Sequence, residues 1–268
     1  MMMKEQRYAL VDSAIMPDIL ERVEQSEGLA WCLFPTPVDE EMARVAPYLV
    51  QLTPELGEHL HQSEQPWGFS LTSGADKKTL LKHLRTLLSV CIEGSEAPMF
   101  FRYYDPRLLW SILDCLTPAQ QVFFAGPIKK LFTFAPEQKE REFESYPPMH
   151  QPPKHITLSQ EQYSSILARC YQNLEQEVSA LFYSHQPQDR KDTIISEAFA
   201  KQLVKHLSDW GITIGSDIKS IAHYCTEHQV TEWDQVPSTW TSLLSNQQYS
   251  APYRVKALTM NIGGSHEL

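Results

Sequence analysis

The chain has 268 residues, 42% of them hydrophobic and 21% charged, which suits a folded globular protein of one large domain or two lobes and excludes a disordered one. Its 33 acidic and 23 basic residues give a formal charge of -10, which disfavours general nucleic-acid binding, since that needs a basic stripe against the phosphates; locally basic patches are compatible with the balance. The cysteines, Cys32, Cys91, Cys115, Cys170 and Cys225, are odd in number, widely spaced and without a C-x-x-C pair, a pattern of reduced thiols rather than of a disulfide framework or a zinc ribbon.

The N-terminal MMMKEQRYALVDSA has no apolar run long enough for a signal peptide, and no segment approaches the roughly 20 apolar residues of a membrane span. A cytoplasmic protein without a membrane partner is expected. In chain order, YALVD (8–12), LAWCLF (29–34), YLVQL (48–52), WGFSL (67–71), MFFRYY (99–104) and KLFTF (130–134) read as strands rich in aromatic and branched residues. Helical spacing lies between them, most clearly where Leu80, Leu81, Leu84, Leu87 and Leu88 share a face. The alternation predicts an α/β N-terminal lobe, a mixed or mostly parallel sheet with flanking helices, over residues 1–135.

Pro136, Pro147, Pro148, Pro152 and Pro153, among many charges, predict an extended joint over 136–158 with neither sheet nor helix through its middle. Beyond it, Ser159 and Gln162 have capping-box spacing and open a strongly amphipathic helix through Tyr163, Ile166, Leu167, Leu174, Val178 and Phe182. Further helices are expected near 193–210 and from Ser216-Asp217, making 159–268 a mainly α-helical C-terminal lobe. Trp233, Trp240, Tyr249 and Tyr253 serve there either as core or as exposed binding anchors.

No nucleophile elbow, P-loop, dinucleotide-binding or zinc-protease motif is present. His223, Cys225 and His228 lie close in sequence, but on a helix His223 and Cys225 point about 200° apart, which does not make a metal site. HLH (59–61) lacks a third ligand, and Cys32 sits within an apolar strand, where a thiol is a small inert hydrophobe. The final GGSHEL reads as a tail. No metal or cofactor is expected. Asp105-Pro106 and Thr117-Pro118 read as helix starts, an N-cap followed by proline at the first helical position. Arg102, placed within an aromatic strand, needs a carboxylate or carbonyls, and Asp12 and Asp105 are the candidate partners in a structural pair; contact with a ligand is the other reading.

YALVDSA, LFPTPVDEEMARVAPYLVQL, WGFSLTSGADKKTLLKHLRTLLSV and MFFRYYDPRLLWSIL, in this order over about residues 7–134, resemble the DUF4123 family of bacterial type VI secretion adaptors. The resemblance implies a non-catalytic adaptor or chaperone that binds an effector toxin and loads it onto the VgrG spike protein. It marks Tyr8, Asp12, Ala46, Pro47, Tyr48, Leu49, Arg102, Tyr104, Asp105, Pro106 and Arg107 as family-signature positions, structural or partner-binding. The alternatives are a hydrolase-like α/β enzyme, or a small-molecule-binding regulator, with a site at the strand ends near Asp12 and Asp105.

Overall fold

The computed structural model describes residues 5–35, 39–144, 153–187 and 191–260. Its first strand, β1 (Gln6–Asp12), is buried from Tyr8 to Asp12. A strand covered on both faces needs successive apolar residues instead of alternation, and Tyr8, Ala9, Leu10 and Val11 supply them. There follow α1 (Ile19–Gln25), β2 (Ala30–Cys32), α2 (Glu40–Arg44), β3 (Pro47–Gln51), α3 (Pro54–Gln62), β4 (Gly68–Ser73), α4 (Lys77–Leu87) and β5 (Ser89–Ile92). Then come β6 (Met99–Phe100), α5 (Pro106–Cys115), α6 (Pro118–Ala125), β7 (Ile128–Thr133), β8 (Lys139–Glu142) and β9 (Ile156–Leu158). Six strands form one sheet in the order β2-β3-β1-β4-β7-β8, and β6-β5-β9 form a smaller one.

Every pairing in the six-stranded sheet is antiparallel, which overturns the expected mixed or mostly parallel sheet. Only the short β5–β9 pairing, among the described residues, is parallel. The pairings show why the pattern misled. β1 and β2 run the same way and are joined through α1, as in a parallel crossover, but β3 lies between them. β3 and β4 are likewise joined through α3, with β1 between. Each crossover leaves a gap one strand wide that a strand of opposite direction fills.

The pleat sends alternate residues of β1 to opposite faces. Ala9 and Val11, with Tyr48 and Val50 of β3, pack against Ile19 and Val23 of α1, Leu56 and Leu60 of α3, and Trp67. Tyr8, Leu10 and Asp12 share the other face, where Leu71 and Phe69 of β4 are the register neighbours of Tyr8 and Leu10. There the Phe69 ring lies 6.4 Å from that of Tyr103, which in turn meets Phe124 at 5.7 Å and donates its hydroxyl to the Leu84 carbonyl of α4. Each such apolar side chain contributes about 1.5–3 kcal/mol by leaving water.

The chain divides into two compact units, Met1–Leu167 and Ala168–Leu268. Within the segment expected to be extended, residues Lys139–Glu142 pair with β7 and Ile156–Leu158 with β5. Its middle, with Pro147, Pro148 and Pro152, lies outside the described residues, as does the terminal GGSHEL. The long helix α7 (Gln160–His185) opens with the reciprocal bonds of a capping box, Gln162 N to Ser159 Oγ at 3.1 Å and Ser159 N to Gln162 Oε1 at 2.9 Å.

The second unit is helical: α8 (Thr193–Asp209), α9 (Gly215–Glu227), a 3-10 turn (Trp233–Gln235), α10 (Ser238–Ser245) and α11 (Ala251–Thr259). Val178 and Phe182 of α7 join Phe199, Leu203, Leu207, Ile221, Leu244 and Leu258 in its core, with the Phe182 and Phe199 rings stacked at 4.5 Å. Trp233 stacks on His206 at 4.1 Å and Trp240 packs against Tyr224 at 4.9 Å, whereas Tyr249 and Tyr253 stand exposed with their rings 5.0 Å apart. Arg254, buried in α11, donates to the Trp210 carbonyl (2.9 Å) at the end of α8 and to the Leu244 carbonyl near the end of α10. A cation there meets the negative ends of two helices.

Candidate functional site

Arg102 does not sit on a strand, contrary to the expected run over 99–104. β6 pairs with β5 through Met99 and Phe100 alone, and Phe101 then anchors to the Leu88 carbonyl at 2.8 Å. A turn closed by Asp105 N on the Arg102 carbonyl (3.2 Å) follows, with Tyr103 and Tyr104 buried inside it. From that turn Arg102 Nη2 reaches Asp12 Oδ2 at the end of β1, at 2.5 Å. The pair is lopsided: the Asp12 side chain is 3% exposed and that of Arg102 45%. Asp12 Oδ1 accepts from Ala14 N at 3.1 Å, so both carboxylate oxygens are engaged. Burial opposes the charge of Arg102, but the Asp12 carboxylate, with Tyr104 and Asp105 adding to it, leaves its pKa raised. The Tyr104 ring lies 5.7 Å from the guanidinium. Burial, reinforced by Asp12 and Asp105 and opposed by Arg102, pushes the Tyr104 hydroxyl up to about 12.

Asp105 does two jobs at the start of α5. Its Oδ1 accepts from Arg107 N (3.0 Å), the N-cap bond, while the Arg107 guanidinium grips both oxygens at 2.9 and 2.7 Å. Pro106 occupies the first turn, where it forfeits no backbone bond. Across the sheet, Asp12 is opposite Pro47, and Ser13 fastens the same corner: its hydroxyl lies 2.7 Å from the Ala46 carbonyl and 2.9 Å from that of Arg44. Sequence reasoning missed Ser13, whose only signal was a hydroxyl beside the strand-ending aspartate. The fold thus gathers Asp12, Arg102, Tyr104, Asp105, Pro106 and Arg107 near the end of β1, with Ala46 and Pro47 beside them. Tyr8 lies earlier on β1, its hydroxyl bound to the Gln6 side chain and its pKa raised by burial and by Asp76. Tyr48 belongs to the opposite face, bonded through its hydroxyl to the Ala43 carbonyl at 3.0 Å, and Leu49 is fully buried.

Residues 7–122 match the model of the DUF4123 family, a domain of unknown function. No curated protein and no solved structure matches the chain. The matched segment runs from β1 into α6 and contains all the signature positions named above.

The same segment contains an apolar groove of about 580 Å³ lined by Leu33, Phe34, Pro35, Met42, Leu88 and Phe100, with Asp39 and Arg85 also in its wall. Phe34 and Phe100 meet edge to face at 5.8 Å, and Phe100 and Met42 are 52% and 46% exposed. Asp39 caps α2 by accepting from Met42 N at 2.7 Å, and Arg85 Nη2 donates to the Cys32 carbonyl at 2.8 Å. Phe100 is two residues before Arg102, so the Asp12 pair holds the chain that leaves the groove. Nothing in the aromatic run MFFRYY distinguished Phe100, which faces solvent, from buried Tyr103.

The other candidates do not assemble. Cys225 is buried in α9, and burial pushes its thiol up to about 12. His228 Nδ1 lies 2.9 Å from the Tyr224 carbonyl, and His61 rests edge-on against Phe134 at 4.6 Å. Among the described residues no group of three His, Cys, Asp or Glu side chains is placed to hold a metal, and no helix is long and apolar enough to cross a membrane.

Proposed function

We propose that the chain is a non-catalytic adaptor that binds a type VI secretion effector and loads it onto the VgrG spike protein, with the groove of the DUF4123 segment as a docking surface. The observation that carries this reading is a solvent-open apolar groove in the segment that matches the family, next to a corner whose charged groups are spent on holding the backbone. Exposed rings such as Phe100 are the kind of residue whose burial drives association. Hydrolysis at the strand ends would need a carboxylate free to take a proton or attack. Asp12 is tied to Arg102 and Ala14, and Asp105 to Arg107, which favours the binding reading.

Size-exclusion chromatography tests it, with the chain mixed with a type VI effector and a VgrG C-terminal region from its own organism. A ternary complex is expected, weakened by Phe100→Ser. If neither protein shifts in elution while the chain alone turns over a metabolite, the adaptor reading is wrong.

A further inference from the structure

Helix α4 runs against the charge of the whole chain. In a protein of formal charge -10, its sequence KKTLLKHLRTL has four cationic residues, Lys77, Lys78, Lys82 and Arg85, and no carboxylate. Lys78, Lys82 and Arg85, at i, i+4 and i+7, fall on one exposed stripe, opposite buried Leu80, Leu84 and Leu87. Like charges at this spacing repel one another, and no acid on the helix offsets them. Lys77 sits over the Trp31 ring at 4.7 Å, and Arg85 holds the Cys32 carbonyl. Lys78 and Lys82 make no ion pair among the described residues. The nearest acid in sequence, Asp76, is committed to the helix cap through Thr79 N (3.1 Å) and Thr79 Oγ1 (2.6 Å). The stripe also has a direction: Arg85, at its C-terminal end, belongs to the wall of the apolar groove, roughly 10 Å along the helix from Lys78.

We infer that stripe and groove form one docking surface for an acidic segment of a protein partner, whose carboxylates lie along α4 and whose apolar end fills the groove beside Phe34 and Phe100. The inference rests on the adaptor reading in requiring a protein partner, and it adds the chemistry of the segment recognised. A basic stripe on an acidic protein attracts acidic chains at a distance and sets their orientation, while the apolar groove provides the burial that holds them. Nucleic acid fits less well, because the stripe ends on apolar side chains and on Asp39 instead of continuing as cations that would neutralise phosphates.

Fluorescence anisotropy with the full chain decides it, using three labelled probes: a peptide of glutamates ending in Phe-Leu-Phe, the same peptide with lysines for glutamates, and a single-stranded DNA of equal length. The acidic peptide is expected to bind, the lysine peptide not to, and Lys78→Glu with Lys82→Glu to weaken the acidic peptide by about tenfold or more. Those lysines are exposed and make no ion pair among the described residues, so an unchanged melting temperature is expected and verifies the fold. Phe100→Ser should weaken the same peptide without altering its salt dependence. Equal binding of both peptides, DNA binding as tight as the acidic peptide, or indifference to the double charge reversal each overturns the inference. The effector and spike chromatography separates the two readings. Co-elution that survives the charge reversal removes only the docking surface proposed for α4, whereas no co-elution by the unaltered chain removes the adaptor itself.

Discussion

Asp12 is almost sealed from water while its partner Arg102 is nearly half exposed, and this asymmetry sets what each substitution costs. Arg102→Ala leaves a buried carboxylate with only the Ala14 N–H, a loss of about 2 kcal/mol, between the values for exposed and for fully buried pairs. Thermal melting should show it. If melting is unchanged while effector or spike binding disappears, Arg102 is a contact residue and not a brace. Asp105→Ala removes the cap and the Arg107 clamp together and should cost about 1–2 kcal/mol, whereas Asp105→Asn keeps the cap, loses the charge and should fall between Ala and the native residue. His83 provides a pH test. It packs against Gly126 with Nε2 2.9 Å from the Phe124 carbonyl, and burial, opposed by that bond, lowers its pKa. The unfolded chain therefore takes up this proton first, from about pH 6.5, so the contribution of His83 is complete above that value and is lost as pH falls towards the folded value. The acid-side fall in melting temperature should be shallower in His83→Gln; an unaltered slope would contradict the assignment. At this scale the sequence narrowed the partner of Arg102 to two acids, because a guanidinium set among aromatic residues needs one, but the choice depended on a turn bringing together residues 90 positions apart.

Each of the six runs read as strands from aromatic and branched residues contains one, but β2 keeps only Ala30–Cys32 and β6 only Met99–Phe100 of the expected span, while β5, β8 and β9 went unread for separate reasons. β5 continues the apolar period of α4 without a break, β8 is the wholly charged KERE on a sheet edge, and β9 is a three-residue strand. Strand direction was not legible, because a crossover with a vacant neighbour and one without it share the same alternation of helix and strand. Gly68 shows how closely the central strands fit. Its φ is +142°, and a Cβ there would lie 1.9 Å from the Leu10 carbonyl oxygen of β1. Neither backbone can retreat from a strand paired on both sides, so Gly68→Ala should cost about 3 kcal/mol or more. Chemical denaturation measures it, and a loss below about 1 kcal/mol would mean that the β1–β4 pairing is looser than its register implies.

Two cores in one chain predict two separate groups of slowly exchanging amides. Hydrogen exchange read by mass spectrometry should find the slowest of the first unit in β1 and β4, each paired on both sides, and those of the second in α8 and α9, around Leu203, Leu207 and Ile221. Edge strands β2 and β8 should exchange early; protection there outlasting that of β1 would contradict the strand order. The second unit offered fewer clues to its fastenings. Its apolar helix faces were plain from their period, but Arg254 gave no sign of being buried, because its acceptors are main-chain carbonyls and no side chain in the sequence announces them. That choice of acceptor has a chemical consequence. An amide carbonyl carries no proton under conditions a folded protein survives, so acid cannot discharge this clamp from the acceptor side, and the joint between the ends of α8 and α10 keeps its acceptors wherever the fold itself persists.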